Sequence, residues 1–351
     1  MPIQSIQSIF SPEILHVQMP ASPDLLLGIR IWRETIQSMI HGKDNRLLVI
    51  VGPCSIHDPE SAIEYAKHVR KWRDEFKDSL EIVMRTYWEK PRTTIGWKGL
   101  INDPHLDGSH DIASGFRIAR QLLIDIANIG VPTATEFLDP LSAPYIADLI
   151  SWGAIGARTT ESQTHRELAS SLSCPVGFKN GTDGSIKIAI DAMISASTNH
   201  SLLGINHEGA ISIITTSGNK DSHIILRGSN KGTNFDNKSI QDASILAQKN
   251  GLPKRIMIDA SHQNSQKDYQ KQIFVIDSIV DQIQQGEKNI LGVMIESSLI
   301  DGNQVFNPEK SNKNILVYGQ SITDGCVDIS ETYQILQKLV YGKQYKIVTS
   351  T

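Results

Sequence analysis

The chain has 351 residues, 40% of them apolar and 21% charged, with a net charge of −4. That length accommodates a large core, and the acidic balance without any dense Lys/Arg run argues against a nucleic-acid binder. No uncharged apolar stretch reaches the ~18 residues of a membrane span, the stretch "MPIQSIQSIFSPEILHVQMP" lacks the pattern of a secretion signal, and three cysteines (54, 174 and 326) suit unpaired thiols in a reducing cytoplasm.

Residues 1–22 are polar, mixed and weakly periodic, and read as an arm outside the core. Asp24 is expected to cap a helix of about 25–41 that closes at Gly42. A rhythm then begins in which short apolar, β-branched runs alternate with amphipathic segments. The runs are "LLVIVG" (47–52), "EIVMR" (81–85), "PTATEF" (132–137), "GAIGAR" (153–158), "PVGFK" (175–179), "HIILRG" (223–228), "RIMIDAS" (255–261) and "ILGVMIES" (290–297). Helical patterns lie between most of them, at 60–77, 112–129, 162–172, 184–197, 237–249 and 267–285, and a last one covers about 328–341. Eight strand–helix repeats predict a parallel sheet closed into a (β/α)8 barrel. Residues 200–217, "HSLLGINHEGAISIITTS", break the rhythm. They are expected to form a hairpin, turning at His207–Gly209, inserted between helix five and strand six.

Barrel active sites lie at the C-terminal ends of the strands. Here those ends offer Cys54, Arg85, Glu136, Arg158, Lys179, Arg227, Asp259 with His262, and Glu296. Strands buried under helices are otherwise apolar, so a full ring of polar ends points to a site. The long loop after strand two, "YWEKPRTTIGWKG", adds Lys90, Arg92 and Lys98. Seven cations converging in an acidic protein imply polyanionic small molecules, whose oxygens the guanidinium fork matches. Cys54, His262 and Glu296 come from strands one, seven and eight, which are neighbours in a closed barrel, and Asp324 in "GQSITDGCVDIS" is the best fourth donor. This set reads either as a divalent metal site or as a thiol nucleophile with His262 as its base. The two carboxylates favour the metal, because they oppose thiolate formation without a cation. His57 reads as a loop-fixing residue.

The segments "GPCSIHD", "YWEKPRTTIGWKGLINDPHLDGS", "GARTTESQTHRELAS", "CPVGFKNGTDGSIK", "HIILRG", "MIDASHQNSQK", "GVMIESSL" and "GQSITDGCVDI" closely resemble the type I 3-deoxy-D-arabino-heptulosonate 7-phosphate (DAHP) synthases regulated by aromatic amino acids. The resemblance implies a (β/α)8 barrel that condenses phosphoenolpyruvate with erythrose 4-phosphate, releases phosphate and opens the shikimate pathway. It implies Cys54, His262, Glu296 and Asp324 as ligands of one divalent ion (Mn, Fe, Co or Zn). Arg85, Lys90, Arg158, Lys179 and Arg227 match the phosphoenolpyruvate grip, with Lys98 bordering it. Arg92 and Thr93 match the grip on the erythrose 4-phosphate phosphate. Lys90, between the two anion sites, is expected to move a proton as well.

The resemblance further implies a division into residues 1–42, serving assembly and regulation, and a catalytic barrel of residues 43–351. It implies a cytoplasmic homodimer or homotetramer whose inhibitor pocket uses Leu168, Leu172, Ser173 and Leu202. Leu202 stands where phenylalanine-sensitive enzymes tend to carry an aromatic, and "LLGINHEG" looks more like tyrosine- or tryptophan-sensitive forms, which favours tyrosine. The related 3-deoxy-octulosonate 8-phosphate synthases, which use arabinose 5-phosphate, are the nearest rival. The "KPRTT" loop, the arm and the hairpin argue against them.

Overall fold

Serine and aspartate side chains start most of the helices by accepting hydrogen bonds from first-turn amides. The computed structural model describes residues 2–91, 96–307 and 315–349. Helix α1 (Pro12–Gln18) is capped by Ser11, and α2 (Pro23–Ile40) by Ser22 with Pro23 in its first turn. Asp24 therefore sits inside the first turn rather than at the cap expected of it. Strand β1 (Leu47–Gly52), α3 (Pro59–Phe76), β2 (Leu80–Arg85), α4 (Ile112–Asn128) and β3 (Thr133–Glu136) follow. Next come a short α5 (Ala143–Ile146) continued by a 3-10 turn, β4 (Trp152–Ile155), α6 (Gln163–Ser171), β5 (Val176–Lys179) and α7 (Ile186–Ala196). An antiparallel pair, β6 (Ser201–Ile205) and β7 (Ile211–Thr215), precedes β8 (Ser222–Leu226), α8 (Asn237–Lys249), β9 (Ile256–Asp259) and α9 (Gln272–Gln284). Strand β10 (Ile290–Glu296), the small parallel pair β11 (Ile300–Asn303) and β12 (Gln320–Ser321), and α10 (Ile329–Thr349) complete the chain.

Strands β1, β2, β3, β4, β5, β8, β9 and β10 pair in parallel around a closed barrel, with β10 returning to β1. These are the eight expected strands, and the hairpin lies where its pattern placed it. Inside the barrel, Leu48, Ile50, Val83, Trp152, Ile225, Met257 and Met294 pack together with Ile36, Met39 and Ile40 of α2, whose last turns plug one mouth. Burying each such aliphatic side chain stabilises the fold by roughly 1.5–3 kcal/mol. Gly292 is required here, because a Cβ would stand 1.8 Å from the Leu48 carbonyl oxygen.

Two further expectations need correction. The arm is not outside the core: Leu15 of α1 is fully buried, Phe10 packs edge-on against Tyr145, and the Glu13 amide bonds the His207 carbonyl at the hairpin turn. The helix expected over 267–285 starts only at Gln272, because His262, Gln266 and Lys267 adopt positive φ in the preceding turns. Among the described residues, no helix is long and apolar enough to cross a membrane.

Candidate active site

The register of β1 against β10 sets Gly52 beside Glu296, and Cys54 follows two residues later on the same barrel end. The Gln272 side chain pairs with both the amide and the carbonyl of Glu296, at 2.9 Å each, which fixes the direction in which β10 delivers its carboxylate. Asp324 arrives from the loop beyond β12. The ligand atoms of Cys54, Glu296 and Asp324 lie within 4.8 Å of one another. Lys90 Nζ stands 3.0 Å from Cys54 Sγ and 3.7 Å from Asp324 Oδ2. Burial, then Glu296, pushes the Cys54 thiol up to about 12 against the pull of Lys90. Burial also opposes the Lys90 ammonium, but Cys54, Asp324 and Glu296 outweigh it and raise its pKa. One sulfur and two carboxylates gathered around a cationic group form a donor set that suits a divalent ion.

His262 stands outside that group of three but lines the adjoining cavity. Its Nδ1 is 2.9 Å from Asp259 Oδ2 and 2.7 Å from Ser261 Oγ. A histidine anchored through one nitrogen by a carboxylate is the usual arrangement of a metal-ligating ring.

The cavity holds about 550 Å3 and is walled by Arg85, Lys90, Arg158, Lys179 and Arg227, with Glu136, His262 and Asp324. Arg85 is fully buried, its Nη2 bonding Glu296 Oε1 at 3.2 Å, with its guanidinium 3.9 Å from the Tyr87 ring centre. Burial opposes its charge, yet Tyr87, Glu296 and Cys54 outweigh that and raise its pKa. Lys179 lies 3.3 Å from Asp259 and 3.9 Å from Glu136. Asn180 accepts the Arg227 amide at 2.9 Å and so sets where that arginine leaves β8. Burial lowers the pKa of Arg227. Arg85 Nη1 and Arg227 Nε are buried donors without a hydrogen-bond partner among the described residues. Gly156 leaves room for Glu136, whose Oε1 would stand 2.3 Å from an added Cβ.

Of the expected loop residues, Lys98 has an exposed side chain and is not among the cavity's lining residues; its carbonyl accepts the Lys90 amide at 2.8 Å. Arg92 and Thr93 lie outside the described residues. His57 does not line the cavity, and burial lowers its pKa. Leu168 and Leu172 are buried at α6 and its end, Ser173 accepts a bond from Arg33 at 2.9 Å, and Leu202 is half-buried on β6. The hairpin joins α6 through Thr216 and Ser170, whose hydroxyls are 2.8 Å apart. Sequence reasoning missed the supporting residues Asn180, Ser261 and Gln272. Asparagine, serine and glutamine are common everywhere, and only the fold reveals which atoms they serve.

Comparison with known proteins agrees with this geometry. Residues 25–337 match the DAHP synthetase I family. The chain is 52% identical over 337 residues to the Phe-sensitive phospho-2-dehydro-3-deoxyheptonate aldolase of Escherichia coli K12, covering 96% of this chain and 95% of that one. It is 49% identical to the Tyr-sensitive enzyme of the same strain (95% and 92% covered) and 48% identical to the Trp-sensitive enzyme of Enterobacter agglomerans (97% of each). The solved structure of phospho-2-dehydro-3-deoxyheptonate aldolase from Francisella tularensis SCHU S4 superposes with a TM-score of 0.95 at 47% identity, covering 98% of this chain and 99% of that one. Near-complete coverage at such identity, on a barrel whose polar strand ends converge on one cavity, makes the chain a member of the DAHP synthetase I family.

Proposed function

We propose that this chain is a DAHP synthase, condensing phosphoenolpyruvate with erythrose 4-phosphate to give DAHP and inorganic phosphate. The observation that carries the reading is one cavity walled by Arg85, Lys90, Arg158, Lys179 and Arg227, with Lys267 as a sixth cation, and adjoined by a thiol–carboxylate donor set. In this reading Arg85, Lys90, Arg158, Lys179 and Arg227 hold phosphoenolpyruvate, and the two arginine donors without acceptors among the described residues find them in its oxygens. A buried donor left unanswered costs about 1–3 kcal/mol, which a bound anion offsets. Arg92 and Thr93 hold the second phosphate.

The chain's cations do mainly electrostatic and orienting work. They neutralise two polyanions that repel each other, so that C3 of the enol reaches the aldehyde carbon in line. Lys90 Nζ holds a proton near the new alkoxide. Cys54, His262, Glu296 and Asp324 would hold the divalent ion, Mn, Fe, Co or Zn. When bound, such an ion supplies Lewis acidity toward a carbonyl oxygen.

The same reading places the enzyme in the cytoplasm as a homodimer or homotetramer assembled through the hairpin and the arm. An aromatic amino acid, tyrosine favoured, inhibits it at Leu168, Leu172, Ser173 and Leu202. Phosphate release from phosphoenolpyruvate is measured with erythrose 4-phosphate and with arabinose 5-phosphate, with and without EDTA. Turnover with the four-carbon sugar alone, abolished by chelator and restored by Mn2+, is expected. Turnover with arabinose 5-phosphate in its place, or full activity in EDTA, overturns the reading.

A further inference from the structure

Asp259 ends β9 with a fully buried carboxylate that contacts groups from two parts of the site. Its Oδ1 accepts the Ser261 amide at 3.0 Å and the Ser261 hydroxyl at 2.6 Å. Its Oδ2 lies 2.9 Å from His262 Nδ1 and 3.3 Å from Lys179 Nζ, yet makes no well-aligned hydrogen bond. That oxygen is therefore approached from two directions, by the His262 ring and by the Lys179 ammonium. With Oδ1 already accepting twice from Ser261 and Oδ2 facing the Lys179 ammonium at 3.3 Å, the Asp259 carboxylate is the acceptor in each of these contacts. An ionised carboxylate only accepts. The Ser261 hydroxyl proton must then point at Oδ1, leaving the serine oxygen as an acceptor toward His262. With an acceptor at 2.7 Å and a carboxylate at 2.9 Å, Nδ1 carries the ring proton. Nε2 is left with its lone pair.

We propose that Asp259 is a positioning residue serving both halves of the site: one carboxylate fixes the His262 ring in its ligand tautomer and holds the Lys179 ammonium at the anion cavity. Removing its charge weakens metal binding and anion binding together, although Asp259 touches neither. An ordinary structural residue would not do this. The alternative, an ion pair that serves folding alone, leaves both affinities intact in any variant that folds. The inference rests on the proposed reaction only for the identity of the anion.

The test compares Asp259→Asn with His262→Ala, Lys179→Met and Ser261→Ala. Mn2+ affinity is titrated calorimetrically on metal-stripped protein. Phosphoenolpyruvate affinity is titrated separately in excess EDTA, so that metal loss cannot imitate anion loss. Circular dichroism and the melting temperature verify folding. His262→Ala is expected to lose Mn2+ alone and Lys179→Met phosphoenolpyruvate alone. Asp259→Asn is expected to lose both, Mn2+ by roughly 10- to 100-fold and phosphoenolpyruvate by on the order of 10-fold. Ser261→Ala, which breaks the hydroxyl link without approaching Lys179, is expected to weaken Mn2+ about threefold or more and to leave phosphoenolpyruvate unchanged. A folded Asp259→Asn that changes one affinity or neither overturns the proposal. Should Asp259→Asn fail to fold, Ser261→Ala decides, and an unchanged Mn2+ affinity there overturns it. A parent protein that binds no phosphoenolpyruvate in this assay overturns the proposed reaction instead, and the Mn2+ titrations then judge Asp259 on their own.

Discussion

Arg85 and Arg227 each carry a buried donor that no described protein acceptor answers, while Arg158 donates to the Pro91 carbonyl at 3.4 Å. These donors define the anion side of the site. Arg227→Ala or Arg158→Ala should raise the Michaelis constant for phosphoenolpyruvate well above any change for erythrose 4-phosphate, and Arg92→Ala should do the reverse. Losing a charge-assisted fork costs ~2–3 kcal/mol, on the order of 30- to 150-fold. Steady-state kinetics varying each substrate separate the two patterns, and equal effects on both substrates in all three variants contradict the split. The thiols make a second case. Cys326 is buried two residues beyond Asp324, and burial, then Cys54, raises the pKa of its thiol. In metal-free protein exposed to air, these two thiols should pass two electrons and two protons to oxygen and form a disulfide, with loss of activity that reductant and Mn2+ reverse. Peptide mapping that finds Cys326 free while Cys54 is oxidised rules this out. Residue types at strand ends were legible from sequence. Which atoms face one another was not, because register and side-chain direction come from the closed barrel.

At the scale of elements, α1 and the hairpin are the informative cases. Seven residues make barely two turns, too few to show a period, and so short a helix is stable only through packing. Leu15 under α1, the Phe10–Tyr145 contact and the amide of Glu13 on the His207 carbonyl provide that packing. The hairpin was legible because two short apolar, strand-like runs flank the turn at His207–Gly209. Its register pairs Leu203 with Ile213 and Ile205 with Ile211. Leu203, Ile211 and Ile213 are 76%, 82% and 76% exposed, an apolar face of the kind that association covers. Changing Leu203 and Ile213 together to Asp should shift the protein to a smaller species in light scattering after size exclusion, with the barrel's circular dichroism retained. An unchanged mass removes the hairpin from the assembly interface.

Across the whole molecule, two buried groups far apart in the sequence oppose each other in pH dependence. Burial pushes the Glu89 carboxyl up to about 7, although Ser142 donates to it at 3.1 Å. Between 4.5, its ordinary value, and about 7 the folded state keeps a proton that the unfolded chain has released. Its contribution to stability therefore falls as pH rises through that window. Burial holds the ring of His223, which accepts from Trp152 Nε1, down at about 4. As pH falls from 6.5 toward that value the unfolded chain binds a proton and the folded state does not, so this contribution rises with pH. Each is worth up to about 3 kcal/mol, and the two offset where they overlap. Melting temperatures between pH 4.5 and 7 should climb more steeply in Glu89→Gln than in the parent and more shallowly, or downward, in His223→Gln. Three parallel curves defeat this account.

The sequence by itself determined the eight strands, the closed sheet and the inserted hairpin, because these rest on local periodicity and on the handedness of strand–helix–strand connections, which any chain with this pattern obeys. It also marked the polar strand ends, since charge in an otherwise apolar strand is visible without a fold. Only the tertiary structure decided that Lys90 sits on Cys54, that His262 stands apart from the other three donors while lining the same cavity, that Lys98 turns outward, and that Asp259 bridges a lysine from β5 and a histidine beyond β9. Those facts depend on distances of 3–4 Å between residues up to 270 positions apart in the chain. Strand register, loop path and rotamer set such distances jointly, and none of the three is encoded locally.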